Sequence, residues 1–292
     1  MTDHSLVTFR ARASAHVLTT ALLFGLATPA FTHRIEKRFS VEVRPVITVR
    51  NPSGRVTVKP WQKSEVLVIA NHTSAKVETD AEQVGNRVEI VTHLLSEDVS
   101  PEELRADYEI TVPSEAELQI RTDAGTVFVR GISGDMTFET VAADIDLQEV
   151  AGYLVIKTVG GSLVCLRCAG RIDANSISGN LRFVQPVSSN VRAQTNLGSI
   201  FFDGDFQRGG VYILKNYSGP IEVRFSESDS FNLNASSVQG TVENQAALKP
   251  PAHVQRRSPS RLSSSLFGTF NEGLARVELS SFSGTIKIMK RD

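Results

Sequence analysis

Two cysteines, one tryptophan and four tyrosines are all that the 292-residue chain holds of those types. So few cysteines exclude a disulfide-built scaffold. The shortage of Trp and Tyr leaves no evident aromatic platform for sugars. Neither sign of charge is in excess, with 31 Lys and Arg against 32 Asp and Glu. No global field therefore points to nucleic acid or to an acidic substrate. Beyond residue 30 the histidines are His33, His72, His93 and His253, widely spaced. There is no H-E-x-x-H pair, phosphate-binding loop, dinucleotide fingerprint, G-x-S-x-G elbow or calcium repeat. No cofactor, metal or nucleic-acid partner is implied, and nothing in the sequence sets the oligomeric state.

One apolar run stands out, VLTTALLFGLA at 17–27, behind Arg10 and Arg12 and ahead of the small residues ATPA at 27–30. It predicts an export signal over 1–30, cut after Ala30, or else an uncleaved N-terminal anchor. It is short for a membrane span, and no second long apolar run follows. The mature chain is expected to have no transmembrane span. No cysteine near the cut argues against a lipoprotein. Residues 31–292 read as one exported domain of the periplasm, cell envelope or cell surface.

What is abundant is Phe, Val, Ile, Thr and Gly, a β-leaning mixture. It is arranged as a repeat. From residue 118 the chain reads LQIRTDAGTVFVRGISGD, MTFETVAADIDLQEVAGY, LVIKTVGGSLVCLRCAGR and IDANSISGNLRFVQPVSSN. Shorter copies follow, and VELSSFSGTIKIMK closes the series at 277–290, with an early copy, ITVRNPSGRVTVKP, at 47–60. Each copy is strand, glycine turn, strand. The turn glycines are Gly54, Gly125, Gly161, Gly179, Gly198, Gly219, Gly240 and Gly284, with Ala143 in one slot. Alternation predicts inward pairs such as Leu118 and Ile120, Met136 and Phe138, Val127 and Val129, and Ile145 and Leu147. A rung this small cannot bury its apolar face alone, so rungs must stack. The expected fold is all-β, a single-stranded β-helix or β-solenoid. Capping strands occupy 31–117, rungs 118–245 and a last rung 276–292.

A polar slot precedes each turn: Thr122, Thr140, Thr158, Ser176, Thr195, Asn216, Ser237 and Ser281. Such short side chains can bond the backbone at the corner and the rung above. The outward column Arg121, Glu139, Lys157 alternates in sign and reads as a charge ladder rather than a binding stripe.

The C-x-x-C of Cys165 and Cys168 falls in slots that are apolar in neighbouring rungs. Cys165 aligns with Val129 and Leu147, and Cys168 with Ile132 and Val150. No helix opens there to lower a thiol pKa, and no second metal-binding pair exists. Two buried thiols are the leading expectation, and a local disulfide formed after export is the alternative.

Residues 246–275 interrupt the repeat. The segment AALKPPAHVQRRSPSRLSSS reads as a mobile surface loop. Its Arg256, Arg257 and Arg261 are candidate contacts for a partner recognised through the loop, an envelope-stress or regulatory protein among them. Asp144 and Asp146 are the one paired-carboxylate candidate, facing the same side of a strand, with Arg182 two rungs along the same column. They would suit a lyase or glycosidase on a β-helix, and a solvated polar face is the plainer reading.

The copies TNLGSIFF, NSISGNLRF and SSFSGTIKI, behind an export signal, resemble the DUF4097 family of adhesin-like proteins. The resemblance covers most of 40–292. It implies a right-handed β-solenoid at the bacterial cell envelope and a non-enzymatic role in adhesion or structure. The partner would be a polysaccharide or another envelope or surface protein. It carries no catalytic residues over.

Overall fold

The computed structural model describes residues 33–250 and 264–291. The export signal and Arg256, Arg257 and Arg261 lie outside the described residues. Among those described, no helix is long and apolar enough to cross a membrane.

The chain opens with β1 (His33–Ser40), β2 (Val46–Asn51), β3 (Arg55–Trp61), β4 (Glu65–His72), β5 (Val77–Val84), β6 (Arg87–Leu94) and β7 (Ala106–Pro113). Pairs follow: β8 (Glu117–Thr122) with β9 (Thr126–Arg130), β10 (Met136–Thr140) with β11 (Asp144–Gln148), and β12 (Ala151–Thr158) with β13 (Leu163–Leu166). Next are β14 (Ala169–Ser176) with β15 (Leu181–Val184), β16 (Val187–Thr195) with β17 (Ile200–Asp203), and β18 (Val211–Asn216) with β19 (Ile221–Phe225). The remainder are β20 (Phe231–Ser237), β21 (Val242–Asn244), β22 (Ser264–Phe270), β23 (Ala275–Ser281) and β24 (Ile286–Lys290).

These strands form two twelve-stranded sheets. The front sheet runs β1-β4-β7-β3-β9-β11-β13-β15-β17-β19-β24-β21, and the back sheet runs β22-β20-β23-β18-β16-β14-β12-β10-β8-β2-β6-β5. Each rung gives its first strand to the back sheet and its second to the front. Successive rungs pair in parallel, as in a solenoid. The alternation decides the core: Leu118, Phe138, Ile156, Val129, Leu147 and Phe183 are all fully buried between the sheets.

The glycine ladder has a sharper cause than turn chemistry. Only Gly54 and Gly125 of that set take a positive φ. At Gly161, Gly179, Gly198, Gly219, Gly284 and Gly240 the constraint is proximity. A Cβ there would collide with the carbonyl of the residue in the same slot one rung away. The polar slots close this corner: the Gly179 N–H donates to Ser176 Oγ at 2.8 Å and the Gly284 N–H to Ser281 Oγ at 2.8 Å. Thr195 Oγ1 reaches the rung before it, donating to the Gly179 carbonyl at 3.1 Å.

The opposite corner turns through left-handed residues at a regular interval. Gly131, Glu149, Arg167 and Gln185 have φ between 50° and 69°. The side chains of Glu149, Arg167 and Gln185 are outside, and Glu149 accepts from Arg167 at 2.5 Å and from Arg130 at 3.3 Å. Those two guanidiniums, Arg167 first, hold the Glu149 carboxyl below its ordinary range. On the back sheet Glu139 likewise lies between Lys157 (3.4 Å) and Arg121 (3.7 Å), the expected charge ladder.

Three expectations need correction. The copy at 277–290 is not the end of the stack. β23 and β24 lie between the β18–β19 rung and the β20–β21 rung. All rungs present the same corner profile, so sequence order does not fix spatial order. Here Gly284 seats on Gly219, Gly240 seats on Gly284, and Ser281 Oγ donates to Asn216 Oδ1 at 2.8 Å. Second, 246–275 is not a loop throughout. Residues 264–270 form β22, antiparallel to β20, and cover the outer edge of the back sheet. An uncovered edge there would expose a row of unpaired backbone groups. Third, Cys165 and Cys168 are buried as expected but are joined by a disulfide. The left-handed turn at Arg167 points both side chains inward, with Cα atoms 5.8 Å apart.

At the other end, β6 and β7 form a rung outside β2 and β3. β5 and β4 then run antiparallel along it, with β1 outermost on the front sheet. Lys37 of β1 donates to Asp80 of β5 at 2.8 Å, tying the two sheets at this end.

Candidate functional site

The front sheet places Asp144 and Asp146 in a groove of about 620 Å³. The groove lies over a small grid set by strand register, with Arg130 and Gln148 of the grid just outside it and Ser162 and Val164 of the next rung also lining it. β3 presents Arg55, Thr57 and Lys59; β9 presents Thr126, Phe128 and Arg130; β11 presents Asp144, Asp146 and Gln148. All nine point away from the core, since the residues between them are buried. Phe128 is the centre of the grid and is only half-buried.

Register also puts Arg182 where the sequence placed it. Asp146 pairs with Val164, and Val164 with Arg182. Arg182 does not reach the carboxylates. Its guanidinium lies over the ring of Phe201 at 4.1 Å, with Arg224 over the same ring at 5.1 Å.

The two carboxylates have local work. Asp144 Oδ1 accepts the backbone N–H of Ser162 at 2.8 Å, one rung on. Asn180 does the same for Ser199 at 2.9 Å, so this is a repeating corner device. Asp146 accepts from Gln148 Nε2 at 3.2 Å. Among the described residues, no group of His, Cys, Asp and Glu is arranged to hold a metal ion.

A second surface was missed by sequence reasoning. From Thr140 on, a residue at the glycine corner just after the polar slot is apolar and points out. These residues are Val141, Val159, Ile177, Leu197, Tyr217, Phe282 and Val238 in spatial order; Leu197 sits one place further along its turn. Apart from half-buried Phe282, each is between 44% and 62% exposed, far more than an apolar side chain needs to be in a sheet of this size. Backbone bonds link the turns directly, as from Gly160 N–H to Val141 carbonyl (2.7 Å) and Ser178 N–H to Val159 carbonyl (2.8 Å). Tyr217 and Phe282 stack with ring centroids 4.7 Å apart. Seven positions at about 4.8 Å per rung make a continuous apolar edge of roughly 29 Å. The signal lay in the sequence, as an apolar residue following Thr140, Thr158, Ser176, Asn216, Ser237 and Ser281. The expectation of polar turns hid it.

No family model matches the chain, and no curated protein matches it. Among solved structures, a candidate cell adhesion protein from Clostridium sporogenes ATCC 15579 aligns over 89% of this chain and 100% of its own, at 12% identity and a TM-score of 0.25. A candidate adhesin from Bacteroides fragilis NCTC 9343 aligns over 89% of this chain and 97% of its own, at 10% identity and a TM-score of 0.31. Likeness of this degree shows neither a shared ligand nor a shared role.

Proposed function

We propose that this is an exported, non-enzymatic adhesion or structural protein of the bacterial cell envelope, built as a right-handed, single-stranded β-helix. The observation that carries the reading is the apolar corner ladder. Contiguous exposed apolar patches of this extent mark interaction sites in soluble proteins. A rigid, regularly spaced edge suits many small contacts with a long partner, a polysaccharide or another envelope or surface protein. The resemblance of the strand–turn–strand copies to the DUF4097 adhesin-like family, and the export signal ahead of them, support the same role.

The rival reading, a polysaccharide-cleaving enzyme, asks Asp144 and Asp146 to act as acid and base. Asp144 is engaged at a corner and Asp146 by its neighbour Gln148. That disfavours chemistry at either one.

The test has two parts. Protease added to intact source cells should cleave the protein, and purified protein should attach to those cells. The triple variant Val159→Asn, Ile177→Asn, Tyr217→Asn should attach at least about ten-fold more weakly with its melting temperature unchanged, because all three side chains are already exposed. Protection until lysis, together with equal attachment by the variant, would sink the adhesion reading.

A further inference from the structure

We propose that the front groove binds an acidic saccharide, a sugar chain whose rings carry carboxylates. This gives a ligand class to the adhesion reading above and rests on it.

The groove crosses β3, β9 and β11, which are interior strands of the front sheet. Their backbone donors and acceptors are taken by neighbours on both sides. Extended peptides dock by adding to a free edge through those groups, and no such edge exists here. Recognition must come from side chains alone. What they offer is an aromatic face ringed by hydrogen-bonding and charged groups, a mostly apolar concavity with a few placed polar atoms. The face belongs to Phe128, so the scarcity of Trp and Tyr does not remove the platform.

One rung from Phe128 stand Asp144 and Asp146. Carboxylates are acceptors only, and each carries a single protein donor among the described residues. They call for O–H donors, which the hydroxyls of a sugar ring stacked on Phe128 supply. On the other side of Phe128 stand Arg55 and Lys59. Arg130, beside them, pairs with Glu149. Arg55 and Lys59 take part in no ion pair among the described residues. Two rungs, about 10 Å of backbone spacing, separate the strands that carry these cations and carboxylates. That spacing leaves room for a sugar ring between the two strands.

Arginine's planar fork matches a carboxylate. Arg55 and Lys59 are four residues apart on one strand, about 13 Å, so one acidic group cannot satisfy both. Arg182, two rungs beyond Asp146, is turned away over Phe201 and lies outside the groove. Two groove cations too far apart to share one carboxylate fit a chain in which acids recur, not a single acidic sugar.

The test is calorimetric titration of the purified protein with the galacturonic acid tetramer and, separately, with the neutral galactose tetramer. The acidic tetramer should bind saturably and at least about ten-fold more tightly than the neutral one. The double variant Arg55→Gln, Lys59→Gln should remove that preference, Phe128→Ala should weaken both tetramers, and Phe128→Tyr should restore them. Equal affinity for the two tetramers overturns the proposal. So does a preference for the acidic tetramer that survives the double variant, or silence from both at millimolar concentration. Cell attachment is measured on the same preparations. Attachment that still depends on Val159, Ile177 and Tyr217 while the titration is silent removes the groove alone. Loss of that dependence removes the adhesion reading as well.

Discussion

A Cβ built on Gly284 lands on the carbonyl oxygen of Gly219, although the two residues belong to distant parts of the sequence. The same relation links each rung to the next through this corner, so the glycine column sets how closely rungs stack.

Two adjacent glycines should therefore behave oppositely. At Gly161 an added Cβ meets the Ala143 backbone, whereas at Gly160 nothing lies closer than 3.5 Å and φ is not positive. Gly161→Ala is expected to cost about 1–3 kcal/mol through overpacking. Gly160→Ala should fall within about 0.5 kcal/mol of the parent. Urea unfolding of the pair checks this, and equal losses would show that the column is not set by proximity.

Leu279 is fully buried in β23, with Leu214 on one side and Ala235 on the other. Leu279→Ala is expected to destabilise the whole fold by about 2–5 kcal/mol, with a single cooperative transition. A peripheral strand would instead fray, leaving the main transition in place.

Cys165 and Cys168 are fully buried and bonded. Alkylation of denatured, unreduced protein from source cells should find no free thiol, and reduction should release both. The bridge spans a sequence separation of 3, so its loop-closure contribution stays below about 3 kcal/mol. Cys165→Ala with Cys168→Ala should keep the fold. Loss of folding in that variant would mean that the bond does far more than close a short loop.

Asp80 is held below its ordinary carboxyl range, first by the hydrogen bond from Lys37 and against the opposing effect of partial burial. A depressed carboxyl contributes stability that is complete above its unfolded pKa and is lost as pH falls through the folded one. Both side chains are 39% exposed, so solvent screening limits the pair to about 0.2–1 kcal/mol. Lys37→Met should lower stability by that amount at neutral pH, and the difference should shrink as the pH drops below about 4. A difference that stays constant with pH would assign the loss to the bond that Lys37 Nζ donates to the Ala81 carbonyl at 2.9 Å.

Much of this architecture was legible in the order of residues. Period-two alternation marked the inward pairs, and recurrence of Thr, Ser and Asn before Gly marked the corner. The register of Asp146 with Arg182 followed from block length alone. Three features were not legible, for physical reasons. Alternation cannot say which rung is whose neighbour, because Gly284 fits over Gly219 as well as Gly240 would. Spacing puts Cys165 and Cys168 on the interior but does not reveal the left-handed turn at Arg167 that lets them meet. The outward residues of the turns, Val141, Val159, Ile177 and Tyr217, occupy positions where polar turn residues are expected. Only the corner geometry shows that successive rungs line them up into one exposed edge.

The placement of β23 and β24 has a consequence in time. During synthesis the β18–β19 rung leaves the ribosome long before the segment that will sit beside it. The intervening β20–β21 rung emerges first, with no parallel neighbour yet made on the side where β23 and β24 belong. Until residues 275–290 arrive, Leu214 and Val223 on one rung and Leu233 on the other lack their native neighbours. The rung made last belongs one place in from the end of the stack, so a chaperone or an export channel that delays those residues delays the native order of rungs.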